Sequence, residues 1–454
     1  MQGIRSTFAL LVVFVSLGAY IYFVERHQPP ASDVKPNEKV FDFDSKELKE
    51  LQIKTKAGTA TKLHQDNNAW KITAPVEARA NENNVSSITA TLSSLELQRI
   101  VEETKVDLSP FGLAEPAIDI TFSLNSDDSL QQLLIGDETP TGSNRYAKLS
   151  NSDRIFLIAS HIESAFNKST FDLRDRRLLA FERENLDSLI ITRNNNEDTR
   201  LQKDQNNWKI IEPWNARADF STVESLVGAL SSGEMISIEH EETEALDDYG
   251  LQNPSTTISI GTGSSTAKLA LGKESPNGTR YARDVSRTMV FTISQSLASD
   301  LERAPSEYRR KDMFRFRPFN ASWLEIKQAE ESITFEKNEA NTDGEVDSWK
   351  RIEPEIQDTD KDKMDDLLTK LSNLRAMSFV VSREDFGLSD NELLATIKVR
   401  FRDGDDSIEE YVAVWRSDNT TFAVSENETG AAIIDTRTFD DILNSLPAIQ
   451  TEHS

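Results

Sequence analysis

No cysteine occurs in the 454 residues, which excludes disulfides, thiol nucleophiles, cysteine-ligated zinc, iron–sulfur clusters and lipid attachment to an N-terminal cysteine. Basic residues are in deficit, 51 Lys and Arg against 77 Asp and Glu, so the surface field repels nucleic acid and favours solubility. Histidine is scarce. His27, His64, His161, His240 and His453 share no repeat position and form no ligand-spaced pair, so no metal, cofactor or catalytic base is expected from them. Long apolar runs are missing too, with one exception.

That exception is FALLVVFVSLGAYIYFV, 17 uncharged and mostly apolar residues from Phe8 to Val24, with Arg5 before it and Glu25, Arg26 and His27 after it. At about 1.5 Å per residue this is the lower limit for a spanning helix. The competing reading is a cleaved signal peptide, whose apolar stretch ends in small residues. Here it ends in Tyr20, Ile21, Tyr22 and Phe23, although SLGA at 16–19 offers a cleavage candidate. We therefore expect an uncleaved membrane anchor over 1–27. A short positive stub stays in the cytoplasm and sends the acidic remainder across. The expected location is the inner membrane, single-pass, with the large C-terminal part in the periplasm. QPPASDVKPNEK at 28–39 then reads as an extended tether.

What is abundant is repetition. NNAWKITAP ends at Pro75, NNWKIIEP at Pro213 and SWKRIEP at Pro354. Trp70, Trp208 and Trp349 are 138 and 141 residues apart, matching the roughly 150 residues that a domain takes. An amphipathic helix follows each phrase. Its apolar stripe is Val85, Ile88, Leu92 and Leu95, then Val223, Leu226, Val227 and Leu230, then Leu367, Leu368, Leu371 and Leu374. Ser221 and Glu224 have the spacing of a capping box, and Asp360 and Asp362 put acid in the first turn of the third helix.

Each helix is followed by an aromatic-Gly-Leu stop, with Gly112, Gly250 and Gly387 as the residues that relieve a positive φ. Strand pairs come next: AIDITFSL with QQLLIG, TTISIG with AKLALG, and LATIKVRF with EYVAVW. GDETPTGSNRYAKL matches GKESPNGTRYARD, pairing Arg145 with Arg280, and RIFLI, MVFTI and AAIID supply a last strand. The expected fold is α+β, with modules at 40–172, 173–311 and 312–447 and a tail at 448–454. Each module is an antiparallel sheet packed with one main helix, in the order two strands, helix, about four strands.

Catalytic patterns fail on their details. DTDKDKMDD at 358–366 has Lys363 where a calcium loop needs Gly and Thr369 where it needs Glu, so it reads as a solvated helix start. IGTGSST at 260–266 runs into a strand where a phosphate loop would run into a helix. The tryptophans read as half-buried sheet residues rather than sugar platforms. Two basic clusters interrupt the acidic chain at equivalent seams: Arg174, Arg176 and Arg177, then Arg309, Arg310 and Lys311. Either they are an intermodule ion-pair network, or they are contacts for a partner or an anionic lipid surface.

The W-K-I-x-x-P phrase, the F-G-L-x-x-P from Phe111 to Pro116 with its Tyr249–Pro254 counterpart, and the I-G-x-x-x-P-x-G-x-R-Y-A hairpin resemble the bacterial domain-of-unknown-function family 4340. The resemblance is fainter in the third copy, where Asn391 stands for the proline and Trp415 for the hairpin glycine. It implies envelope proteins without assigned chemistry, often encoded beside ABC-type transport components. The expected function is that of a non-enzymatic, membrane-anchored accessory or scaffold, with a permease or other envelope protein as partner. The alternative is a module that binds glycan, peptide or lipid at the seams or hairpins.

Overall fold

A computed structural model describes residues 38–449 except 57, 126–128, 195–197, 206, 339–346 and 381–392. The expected anchor at 8–24, most of the tether, Gly387, Asn391 and the tail beyond 449 lie outside the described residues. Among the described residues no helix is long and apolar enough to cross a membrane.

The first repeat runs β1 (Leu48–Thr55), β2 (Thr61–Asp66), β3 (Ala69–Ala74), β4 (Ala78–Arg79), α1 (Glu82–Ser93), β5 (Arg99–Glu102), β6 (Ile118–Leu124), β7 (Gln131–Glu138), β8 (Asn144–Leu149) and β9 (Ile155–Ala159). All nine strands form one sheet in the order β4-β3-β2-β1-β6-β7-β8-β9-β5, and every neighbouring pair is antiparallel. Because β4 and β5 are opposite edges, the chain crosses the sheet between them, and α1 makes that crossing. Its Val85, Ile88 and Leu92 are buried against Leu51, Ile53, Ile120 and Phe122 in one cluster.

The same order recurs in a second nine-stranded sheet, from Ser188–Arg193 to Val290–Ile293, and a third, from Ala321–Gln328 to Ala431–Ile434. Their helices, Phe220–Ser232 and Lys361–Ser372, bury every residue of the expected stripes that lies within them. The fold is thus α+β with three repeats. The described residues divide into two compact units, one up to Arg176 with one sheet and one from Arg177 with two.

Two expectations change. Each sheet has nine strands rather than about six, four rather than two before the helix and five rather than about four after it. Two of the three additions, β4 and β5 and their counterparts, are two to five residues long, too short for alternation to register. Ser221 and Glu224 form no capping box. The helix starts at Phe220, so Asp219 is the cap and accepts from Thr222 N–H at 2.8 Å, while Ser221 Oγ donates to the same carboxylate at 2.6 Å. Asn81 and Asp360 cap the other two helices, and all three caps stand eleven residues after their tryptophan.

Candidate functional site

Each repeated tryptophan is buried, Trp70 at 5%, Trp208 at 2% and Trp349 at 7% exposure, which removes it as a sugar platform. In the first two repeats it ties strand to helix, and in the third it ties strand to the link just before the helix. Trp70 N–H donates to Glu82 Oε1 at 2.9 Å, Trp208 Nε1 donates to Glu224 Oε1 at 2.8 Å, and the Trp349 carbonyl accepts from Thr359 Oγ1 at 2.7 Å. Pro75, Pro213 and Pro354 lie in the link to the next short strand, each after a cis peptide bond.

The glycine motifs meet one another. Gly112 and Gly250 have φ of +65° and +68°, the left-handed region that glycine tolerates. The loop they shape lies on the hairpin glycine: a Cβ on Gly136 would sit 2.2 Å from the Phe111 carbonyl oxygen, and one on Gly272 2.1 Å from that of Tyr249. The strand register puts Val414 opposite Ala423 as Ile135 is opposite Ala147, so Trp415 does occupy the hairpin-glycine position. It packs with Val380, Phe422 and Ile433.

The motif arginines fasten the segment after the last strand. Arg145 pairs with Glu163 and Arg280 with Glu302, each at 2.5 Å. In the third repeat Thr421 stands at that register position, and Arg416 directly across the ladder pairs with Asp440 at 2.6 Å. The bond has moved one strand sideways.

The basic clusters are the links that leave one repeat and enter the next. Leaving, Arg174 bridges Ala80 and Arg309 bridges Ala218; entering, Arg177 bridges Glu234 and Asp312 bridges Arg375. Arg174 and Arg309 are buried, whereas Arg177 and Lys311 are exposed. Arg176 lies over the Phe171 ring at 5.2 Å, and Arg310 reaches Asp312 at 3.4 Å.

Within the second unit these links build one concentrated polar site, the seam of the second and third sheets. Arg217, nine residues after Trp208, donates to Glu428 at 2.5 Å and to Glu410 at 3.2 Å. Arg309, 3% exposed, donates to Glu428 at 2.9 Å and covers the Phe379 ring at 4.2 Å. Arg315 grips Glu410 through its backbone N–H at 2.7 Å and its guanidinium at 3.1 Å. Asn215 adds two bonds, donating to the Asn427 carbonyl at 3.0 Å and accepting from Thr429 N–H at 2.8 Å. Burial pulls the Arg309 guanidinium below its ordinary range, with Glu428 opposing. Burial and then the Arg217 charge pull Arg310 the same way.

A cleft of about 270 Å³ opens along this seam, lined by Lys209, Asn215, Arg217, Arg315, Tyr411 and Glu428 among others. Its two innermost carboxylates, Glu410 and Glu428, are each held by two guanidinium groups, so the arrangement makes a joint. Among the described residues no group of three or more His, Asp or Glu could hold a metal ion. The sequence reading missed Arg217, Arg315, Glu410 and Glu428. Arg217 had a signal, since Arg79 also stands nine residues after its tryptophan. The glutamates had none, because the register gives Gln131 and Ala267 in place of Glu410.

The family model described as Domain of unknown function (DUF4340) matches residues 70–212 and again 208–393. The chain belongs to that family. Both matches begin at a tryptophan of the phrase, so the family unit starts inside one sheet and ends inside the next. No curated protein and no solved structure matches the chain.

Proposed function

We propose that this is a non-enzymatic, single-pass envelope protein, held in the inner membrane by residues 8–24, whose periplasmic repeats serve as an accessory or scaffold of an ABC-type transport assembly. The observation that carries this reading is the use made of the repeated residues. The tryptophans and motif arginines, with the Arg–Glu cluster of the seam, are bonded to the chain's own backbone and side chains, and the hairpin glycines lie close against its backbone. What is repeated is a way of folding. The apolar stretch at 8–24 supports the anchor, and the family resemblance supports the transport setting. Purification of the full chain in detergent after crosslinking in cells should recover a membrane permease. Recovery of no membrane partner with crosslinkers of several lengths would reject the reading.

The seam cleft favours a second reading, a site for a glycan or peptide, because Asn215, Tyr411 and Asn427 offer polar groups beside open space. Titration with peptidoglycan fragments and short peptides distinguishes the two. Saturable binding that Tyr411→Ala removes supports the cleft as a site, and flat titrations remove it.

A further inference from the structure

The seam of the second and third sheets joins two faces with counterparts elsewhere in the chain. On the second sheet the face is the short turn around Asn215 and Arg217. Register places Ile356 and Asp358 at those positions in the third repeat, since Lys209 pairs with Arg217 as Lys350 pairs with Asp358. On the third sheet the receiving face is Glu410 and the loop to Glu428, which take Arg217, with Glu409 beside them lining the same cleft as Asn215. Leu133 opposite Leu149 corresponds to Val412 opposite Ser425, which places Leu130 and Gln131 at the two glutamates. The bond Glu426 N–H to the Tyr411 carbonyl corresponds to Ser150 N–H to the Gln132 carbonyl, which places Ser152 at Glu428.

These counterparts hold two of the most exposed large apolar residues described: Ile356 at 80% and Leu130 at 68%. Single exposed apolar residues are ordinary. Two at matched positions of complementary faces form a pattern. The polar partners also change together. Arg217 meets two carboxylates in the internal seam, whereas Asp358 stands where Arg217 does, and Gln131 and Ser152, both hydrogen-bond donors, stand where the carboxylates do.

We infer that the Ile356 face of the third repeat docks the Leu130 face of the first repeat in a second copy of this chain, extending the internal seam between molecules. The contact is heterologous, because the two faces differ, so each copy keeps one face free for the next and the association grows head to tail. It lacks the arginine–glutamate cluster of the internal seam and rests on Ile356 and Leu130, so it is weak and concentration-dependent.

The absence of cysteine makes the test direct. Full-length chain in detergent carrying Ile356→Cys is mixed with full-length chain carrying Leu130→Cys and treated with a short bismaleimide. Both positions are exposed, and unchanged circular dichroism checks the fold. The mixture should give a crosslinked dimer several-fold above either variant alone, and a chain carrying both substitutions should give a ladder. No product in the mixture overturns the proposal, as does equal product from Ile356→Cys alone, which would mean a symmetric contact.

Discussion

Trp208 shows how one side chain can fix the relation of a strand to a helix. Its ring is buried, and its Nε1 donates to Glu224, which also accepts from Arg183 at 2.7 Å. Burial alone would raise the Glu224 carboxyl, but the bonds from Arg183 and Trp208 outweigh it and the net shift is downward. The folded carboxyl therefore titrates below the unfolded value of about 4.3. Ionised Glu224 stabilises the folded state above that pH, and its contribution fades as pH falls through the folded pKa. Thermal melts from pH 7 to 3 should show Glu224→Gln less stable than the parent at neutral pH, with the gap closing below about pH 4. A gap that is constant over this range would mean that the charge is irrelevant. Removing the ring is a larger change. Trp208→Ala should cost about 3–5 kcal/mol in chemical denaturation, whereas Trp208→Phe keeps much of the packing and loses the bond.

At the scale of elements, the glycine pair explains why two distant motifs belong to one pattern. The loop after Tyr249 rests its carbonyl on Gly272, so Gly272→Ala forces the loop off the strand and should cost about 1–3 kcal/mol or more. Gly278, whose Cβ would meet nothing within 4 Å but whose φ is +73°, is the comparison: Gly278→Ala should cost only the smaller left-handed penalty of about 1 kcal/mol. Equal melting temperatures for the two variants would show that the close approach is unimportant. The helix caps are a milder element-level device, and Asp219→Ala should cost about 1 kcal/mol, read as faster amide exchange in the first turn of Phe220–Ser232. The helical stripes and the long hairpins were legible in the sequence, since both have periods that survive over many residues. The caps were only partly so. Asp219 sits two residues before Ser221, and two residues of similar capping preference cannot be ranked without knowing where the backbone turns.

At the scale of the molecule, the three-fold repetition was readable because the tryptophan phrase recurs, yet the phrase marks the third strand of a sheet and not its start. The sequence period and the folding unit are out of phase, as the family matches beginning at Trp70 and Trp208 also are. The basic links stood out by charge. Their use depended on Glu410 and Glu428, which are far from Arg217 in sequence and have no counterpart in the other copies. Arg309 and Glu428 are 3% and 9% exposed at the side chain, so their pair belongs to the buried class, where removing one partner strands a charge and costs about 3–5 kcal/mol. A surface pair would cost about 0–1 kcal/mol. Glu428→Gln should therefore uncouple the second and third sheets, so that the one calorimetric transition expected of a compact unit holding both sheets splits into two. Joint replacement, Arg309→Met with Glu428→Met, removes the buried arginine together with its carboxylate while Arg217 keeps Glu410, and should restore much of the coupling. If Glu428→Gln melts in one transition at the parental temperature, the seam is an incidental contact. If the double variant is as uncoupled as the single one, geometry held by the ion pairs, and not the penalty of an unpaired arginine, is what joins the two sheets.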